Sequence, residues 1–122
     1  MNKTRFLNGK IYSDNDISFN NAIGVKEWYL NSLRHREDGP AIEWASGTKL
    51  WFLHGSHHRD DGPAIEYFNG DKYWFLNGKR HREDGPAVDG ANGYKAWYYQ
   101  GKQIHCKDNQ EFLKMIKLMV FL

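Results

Sequence analysis

Apolar residues in this chain come in short bursts, and most of the bursts are aromatic. Lys72-Tyr73-Trp74-Phe75-Leu76 is one of them. Such residues suit a pleated strand, with Trp74 and Leu76 on one side and Tyr73 and Phe75 on the other. Asn77-Gly78 follows, a dipeptide that accepts positive φ and reverses the chain. Lys79 to Asp84 reads as a polar connection. Gly85-Pro86 then sets an extended entry, because Pro locks its own φ and pushes the residue before it out of the helical region. Ala87-Val88-Asp89 is a second short strand, and Asn92-Gly93 turns the chain toward the next burst at Tyr94. The pattern predicts a β-hairpin joined to its successor by a short Gly turn.

The pattern recurs with one period. Asp-Gly-Pro-Ala stands at 38–41, 61–64 and 84–87, and Trp28, Trp51, Trp74 and Trp97 keep the same step of 23 residues. Aligning 35–57 with 58–80 gives 14 identities in 23 positions. The N-terminus fits the frame in decayed form: Phe6-Leu7-Asn8-Gly9 aligns with Tyr29-Leu30-Asn31-Ser32, and Asn15-Asp16-Ile17 stands where Asp-Gly-Pro would be. Terminal repeats are expected to be atypical, since they have a neighbour on one side only.

The end of the chain follows a different rule. Asp108-Asn109-Gln110-Glu111 has capping-box spacing, and Phe112, Met115, Ile116 and Met119 then recur at helical intervals. The sequence therefore predicts a mainly β single repeat domain over 1–122. Its 23-residue hairpin repeats form an elongated antiparallel meander that grows by two strands per repeat. Residues 1–24 are a degenerate first repeat, 25–105 the regular repeats, and 106–122 a cap carrying one amphipathic helix over 109–120. That helix is expected to plug the last hairpin or one sheet face; it or the open sheet end can also pair two copies into a homodimer.

Composition narrows the function. The chain has 122 residues, with 17 Lys and Arg against 15 Asp and Glu, a formal charge of +2. That balance is poor for a dedicated polyanion binder. The aromatic share of 16% suits rings stacked along a single sheet that lacks a thick core. One Cys excludes an internal disulfide or a Cys-based zinc cluster. No run is long enough to be a signal peptide or to span a bilayer, so a cytoplasmic protein is expected, in the host cytoplasm if viral.

The candidate chemistry lies in the loops. His35-Arg36-Glu37, His58-Arg59-Asp60 and His81-Arg82-Glu83 recur in register, with Trp51 and Trp74 in the neighbouring strands. Guanidinium groups grip carboxylate or phosphate in a fork geometry, so these residues are candidates for partner binding. They can equally form ion-pair ladders across repeats, with Asp bonding the turn backbone. No metal site or cofactor is expected, because His35, His58 and His81 stand about two strand spacings apart, roughly 10 Å, and cannot share one ion. His105-Cys106 places neighbours on opposite sides of a strand and makes a poor nucleophile and base. No catalytic residues are assigned: the recurring groups occur once per repeat, whereas a catalytic centre needs an asymmetric convergence.

The string Asn77-Gly78-Lys79-Arg80-His81, within a 23-residue hairpin unit with aromatic strands, resembles MORN-type repeats. The Asp-Gly-Pro-Ala variant is similar to repeats in small bacteriophage and bacterial proteins. The resemblance covers roughly 4–105 and implies a scaffold that binds proteins or lipid head groups. Here the Gly-x-Gly that follows His in the usual unit is replaced by Arg82-Glu83-Asp84-Gly85-Pro86. The expected function is a non-enzymatic protein-binding module, a phage accessory protein that binds and inhibits a host defence protein, as anti-CRISPR proteins do, or another host protein. The alternatives are a binder of a phosphorylated ligand (nucleotide, nucleic acid or anionic lipid head group) through the His-Arg loops, and a structural or assembly scaffold.

Overall fold

The structure is a computed structural model that describes the backbone of residues 5–7, 10–12, 17–20 and 24–120 and the side chains of 24–119. The Asn8-Gly9 turn, the Asn15-Asp16 pair and the last two residues lie outside the described residues. Among the described residues, the strands form one ten-stranded antiparallel sheet and three separate two-stranded hairpins. The sheet runs in chain order as Ile17–Asn20, Lys26–Leu30, Ile42–Glu43, Lys49–Leu50, Ile65–Glu66, Lys72–Tyr73, Val88–Asp89, Lys95–Tyr99 and Lys102–Ile104, with Leu33–Arg34 paired beside Lys26–Leu30. This is the expected meander, two strands per repeat, ending in one helix, Asn109–Val120.

The register is fixed twice over. On one side of the sheet Ile42, Leu50, Ile65, Tyr73, Val88 and Ala96 face one another across successive strands. The residues next to them pair Lys26 with Glu43, then Lys49, Glu66, Lys72, Asp89 and Lys95 in alternating charge. A slip of one residue would turn the apolar row outward and break the row of opposite charges. Lys95 Nζ closes on Asp89 Oδ1 at 3.0 Å.

Each repeat also carries a second hairpin beside the sheet. Phe52–Leu53 pairs with Ser56–His57, and Phe75–Leu76 with Lys79–Arg80. The pairings Phe6↔Ile11, Tyr29↔Arg34, Phe52↔His57, Phe75↔Arg80 and Tyr98↔Gln103 are one register displaced by 23 residues, so the decayed first repeat keeps the hairpin of the others. The turns of the last four hold two successive positive φ values, such as 50° at Asn77 and 79° at Gly78, the type I′ geometry that matches strand twist. Successive hairpins bond through Gly78 N–H to His57 O and Arg59 N–H to Phe75 O, at 2.9 and 3.1 Å.

Two details depart from the sequence reading. The strand expected over Lys72 to Leu76 divides at Trp74, and the polar connection from Lys79 contains the strand Lys79–Arg80. The cause is the loop that returns from the outer hairpin to the sheet. Trp74 N–H bonds Ala87 O at 2.7 Å and Trp74 O accepts His81 N–H at 3.2 Å, so this one residue holds both arms of the loop.

The helix closes the last repeat. Asp108 Oδ1 accepts the Glu111 N–H at 2.9 Å, and Glu111 reaches back to the Lys107 N–H at 3.3 Å, a variant of the expected capping box in which Glu111 bonds the residue before the cap. Phe112 and Ile116 pack with Trp97 and Ile104, and Phe112 is fully buried. No described helix is long and apolar enough to cross a membrane.

Candidate functional site

The three Asp-Gly-Pro loops are one construction repeated. In the third, the Arg82 guanidinium lies over the Trp74 ring with its carbon 3.8 Å from the ring centroid. Its Nε donates to Asp84 Oδ1 at 2.8 Å and its Nη1 to Pro86 O at 3.1 Å. A Cβ on Gly85 would stand 2.7 Å from the guanidinium carbon, so the Gly of Asp-Gly-Pro is there because Arg fills the space. Arg59 makes the same set with Trp51, Asp61, Pro63 and Gly62, and Arg36 with Trp28, Asp38, Pro40 and Gly39. The ring face, carboxylate and carbonyl together satisfy a cation that is only about a fifth to a quarter exposed.

This settles what the arginines do. The expectation of ion-pair ladders across repeats fails, because each Arg pairs within its own repeat; Asp two residues on is its nearest acidic neighbour, and Arg59 also reaches Glu66 Oε1 at 3.4 Å. The cross-repeat link is made by the histidines instead. Nδ1 of His35, His58 and His81 accepts the backbone N–H of His54, Asn77 and Gln100 at 2.9, 2.9 and 2.8 Å. Each acceptor ring holds the first positive-φ residue of the next hairpin turn. His35 and His81 are buried rather than solvated, since a donor N–H at that turn needs a partner out of water. With Nδ1 accepting, the ring proton of each His sits on Nε2.

The last repeat needs neither device, and its sequence changes accordingly. Ile104 stands in the stapling position and turns into the apolar cluster under the helix. Among the described residues no Arg lies over Trp97; its Nε1 donates to Asn109 Oδ1 at 2.8 Å, so the helix start takes the place of a loop.

Between successive loops lie two grooves. The first, about 500 Å³, is walled by Arg36 to Pro40 and by His58 to Asp61, with Trp51 and Leu53 as its floor. The second, about 540 Å³, is walled by Arg59 to Pro63 and by His81 to Asp84, floored by Trp74 and Leu76. Every lining position of one is the lining position of the other displaced by 23 residues. All of the residues singled out from sequence except His35 line these grooves, with roles redistributed. Trp51 and Trp74 are floors, His58 and His81 are in the walls, and Arg36, Arg59 and Arg82 are held inside the loops. Glu37 and Asp60 stand at the rim, each 83% exposed, with Glu83 likewise exposed. Leu53, Leu76, Asp38, Asp61 and Asp84 were missed; the constant two-residue step from Arg to Asp was the available signal.

Cys106 Sγ contacts Ile104 O at 3.6 Å, and burial, then the charges of Glu111 and Asp108, push its thiol above the ordinary value, which keeps it protonated. His105 is exposed. Among the described residues, no three His, Cys, Asp or Glu side chains converge as metal ligands would. Comparison of the chain with protein-family models, with curated proteins and with solved structures found no match.

Proposed function

We propose that this protein is a non-enzymatic protein-binding module and that the grooved loop face is its recognition surface. The observation that carries the reading is the duplication of the groove, position for position, along one face. A rigid row of equivalent sites recognises a repeating or extended surface, whereas catalysis draws on one asymmetric set of groups. A Trp in the floor under polar walls has the make-up of a binding hot spot. The charge arrangement weighs against a phosphorylated ligand. The three guanidiniums are spent within their loops, and the groups that face water beside them are carboxylates, which repel phosphate. The resemblance to repeats in phage proteins makes a host defence protein the first partner to try.

The test is affinity capture from host lysate followed by hydrogen exchange on the recovered complex. The expected result is a stoichiometric protein that protects 35–40, 58–63 and 81–86. A complex whose protection is confined to the C-terminal helix would refute the assignment, as would turnover of a substrate by the isolated chain.

A further inference from the structure

We infer that the two grooves together hold one extended cationic peptide segment of a partner protein, which crosses the repeats and places a Lys or Arg side chain in each groove. The inference rests on the protein-binding reading above and names the partner's chemistry. Three observations select this occupant.

The first is the unequal use of charge. Each groove sets two guanidiniums against four carboxylates. The guanidiniums are already covered by a Trp ring, an Asp oxygen and a Pro carbonyl. The carboxylates open to water, with Asp38, Asp61 and Asp84 79%, 87% and 86% exposed. An apolar floor beneath an acidic rim fits a side chain with an aliphatic stem and a cationic head.

The second is His81, in the wall of the second groove and only 8% exposed. Its Nδ1 takes the Gln100 N–H, so its Nε2 carries a proton. Its counterpart His58 uses Nε2 on Asp60 Oδ1 at 2.9 Å, but among the described residues no acceptor meets Nε2 of His81. That N–H reaches water at the groove wall, where a ligand acceptor can take the water's place. A peptide carbonyl supplies one. A free polyamine, which has cations and no acceptor, does not.

The third is spacing. The grooves are two strands apart, roughly 10 Å. A polyproline II chain advances about 3.1 Å per residue with three residues per turn, so its side chains return to the same side at about that distance every third residue. The segment is therefore expected to carry cations at positions i and i+3.

The test titrates the full chain with a peptide bearing lysine at every third position and glycine and serine between. The controls are a peptide of the same composition with lysine at every second position, and spermine. Calorimetry gives affinity, and amide and indole resonances give location. The third-position peptide is expected to bind at least about fivefold more tightly than either control, to weaken as salt rises, and to shift the Trp51 and Trp74 indoles. The Glu37→Gln, Glu83→Gln double variant, whose melting temperature is expected to match the parent's, should bind it about tenfold more weakly. Equal affinity for the two lysine registers overturns the spanning segment, and equal affinity for spermine overturns the peptide. Shifts confined to residues outside the grooves overturn the inference whole. In each of these cases a partner protein that still protects the loops leaves the protein-binding reading standing.

Discussion

Gly85→Ala is a one-methyl change with a worked consequence. The three atoms nearest the new Cβ, at 2.7, 3.0 and 3.0 Å, all belong to the Arg82 guanidinium. No positive φ is involved, so the conflict is one of space, and the guanidinium must leave its slot. It then gives up its stack on Trp74, worth about 1 kcal/mol. It also gives up the bond to Pro86 O, about 1 kcal/mol. The exposed pair with Asp84 adds only a few tenths because water screens it. Ala returns about 0.5 kcal/mol by restricting the unfolded chain. The net expectation is a loss of about 2 kcal/mol, or roughly 8 °C in melting temperature for a chain of this size. Arg82→Ala should cost a similar amount. In that background Gly85→Ala should cost nothing or stabilise slightly, because the atoms it struck are gone. The double-mutant cycle, read by urea unfolding with Trp fluorescence, should therefore show a coupling of about 2 kcal/mol. If Gly85→Ala is harmless in the parent, or equally damaging in both backgrounds, the Gly is not there to admit Arg and the account of the loop is wrong.

Three further expectations follow from single observations. Phe112→Ala empties a fully buried site under the helix and should cost about 3–5 kcal/mol, with the helical circular dichroism lost before the β signal; joint loss in one transition would mean that the helix is no separate cap. Burial pushes the His57 imidazole, which lies between Phe52 and Phe75, below its ordinary 6.5; the Arg34 charge adds to the shift and a backbone contact with Trp51 opposes it. The unfolded chain therefore takes up the proton first. Stability from this group is complete above pH 6.5, falls as pH drops below it, and levels off once the folded ring protonates. His57→Phe should flatten that part of the urea-midpoint profile, and an unchanged slope would count against it. Cys106, held as the thiol, should alkylate more slowly at neutral pH than a cysteine in a short peptide, and an equal rate would refute its raised value.

Periodic chemistry was readable from the sequence because each repeat makes the same local bonds. The 23-residue step, the Asn77-Gly78 turn, the Asp108 cap and the antiparallel meander follow from turn residues, alternation and capping, which act over a few positions. The alternating row from Lys26 to Lys95 was equally present in the string, but it shows only when strands are laid side by side. What the tertiary structure alone decided is which of the loop residues are spent. Arg36, Arg59 and Arg82 read in the sequence as partner-binding groups or as rungs of cross-repeat ion pairs, and folding turns them onto Trp rings beside their own Asp. His35, His58 and His81 read as surface groups, and folding makes them acceptors for the next turn. The local code fixes where a side chain starts. Its partners are set by what the neighbouring repeat brings within 3 or 4 Å, and those are the groups that determine whether charge faces inward or toward a ligand.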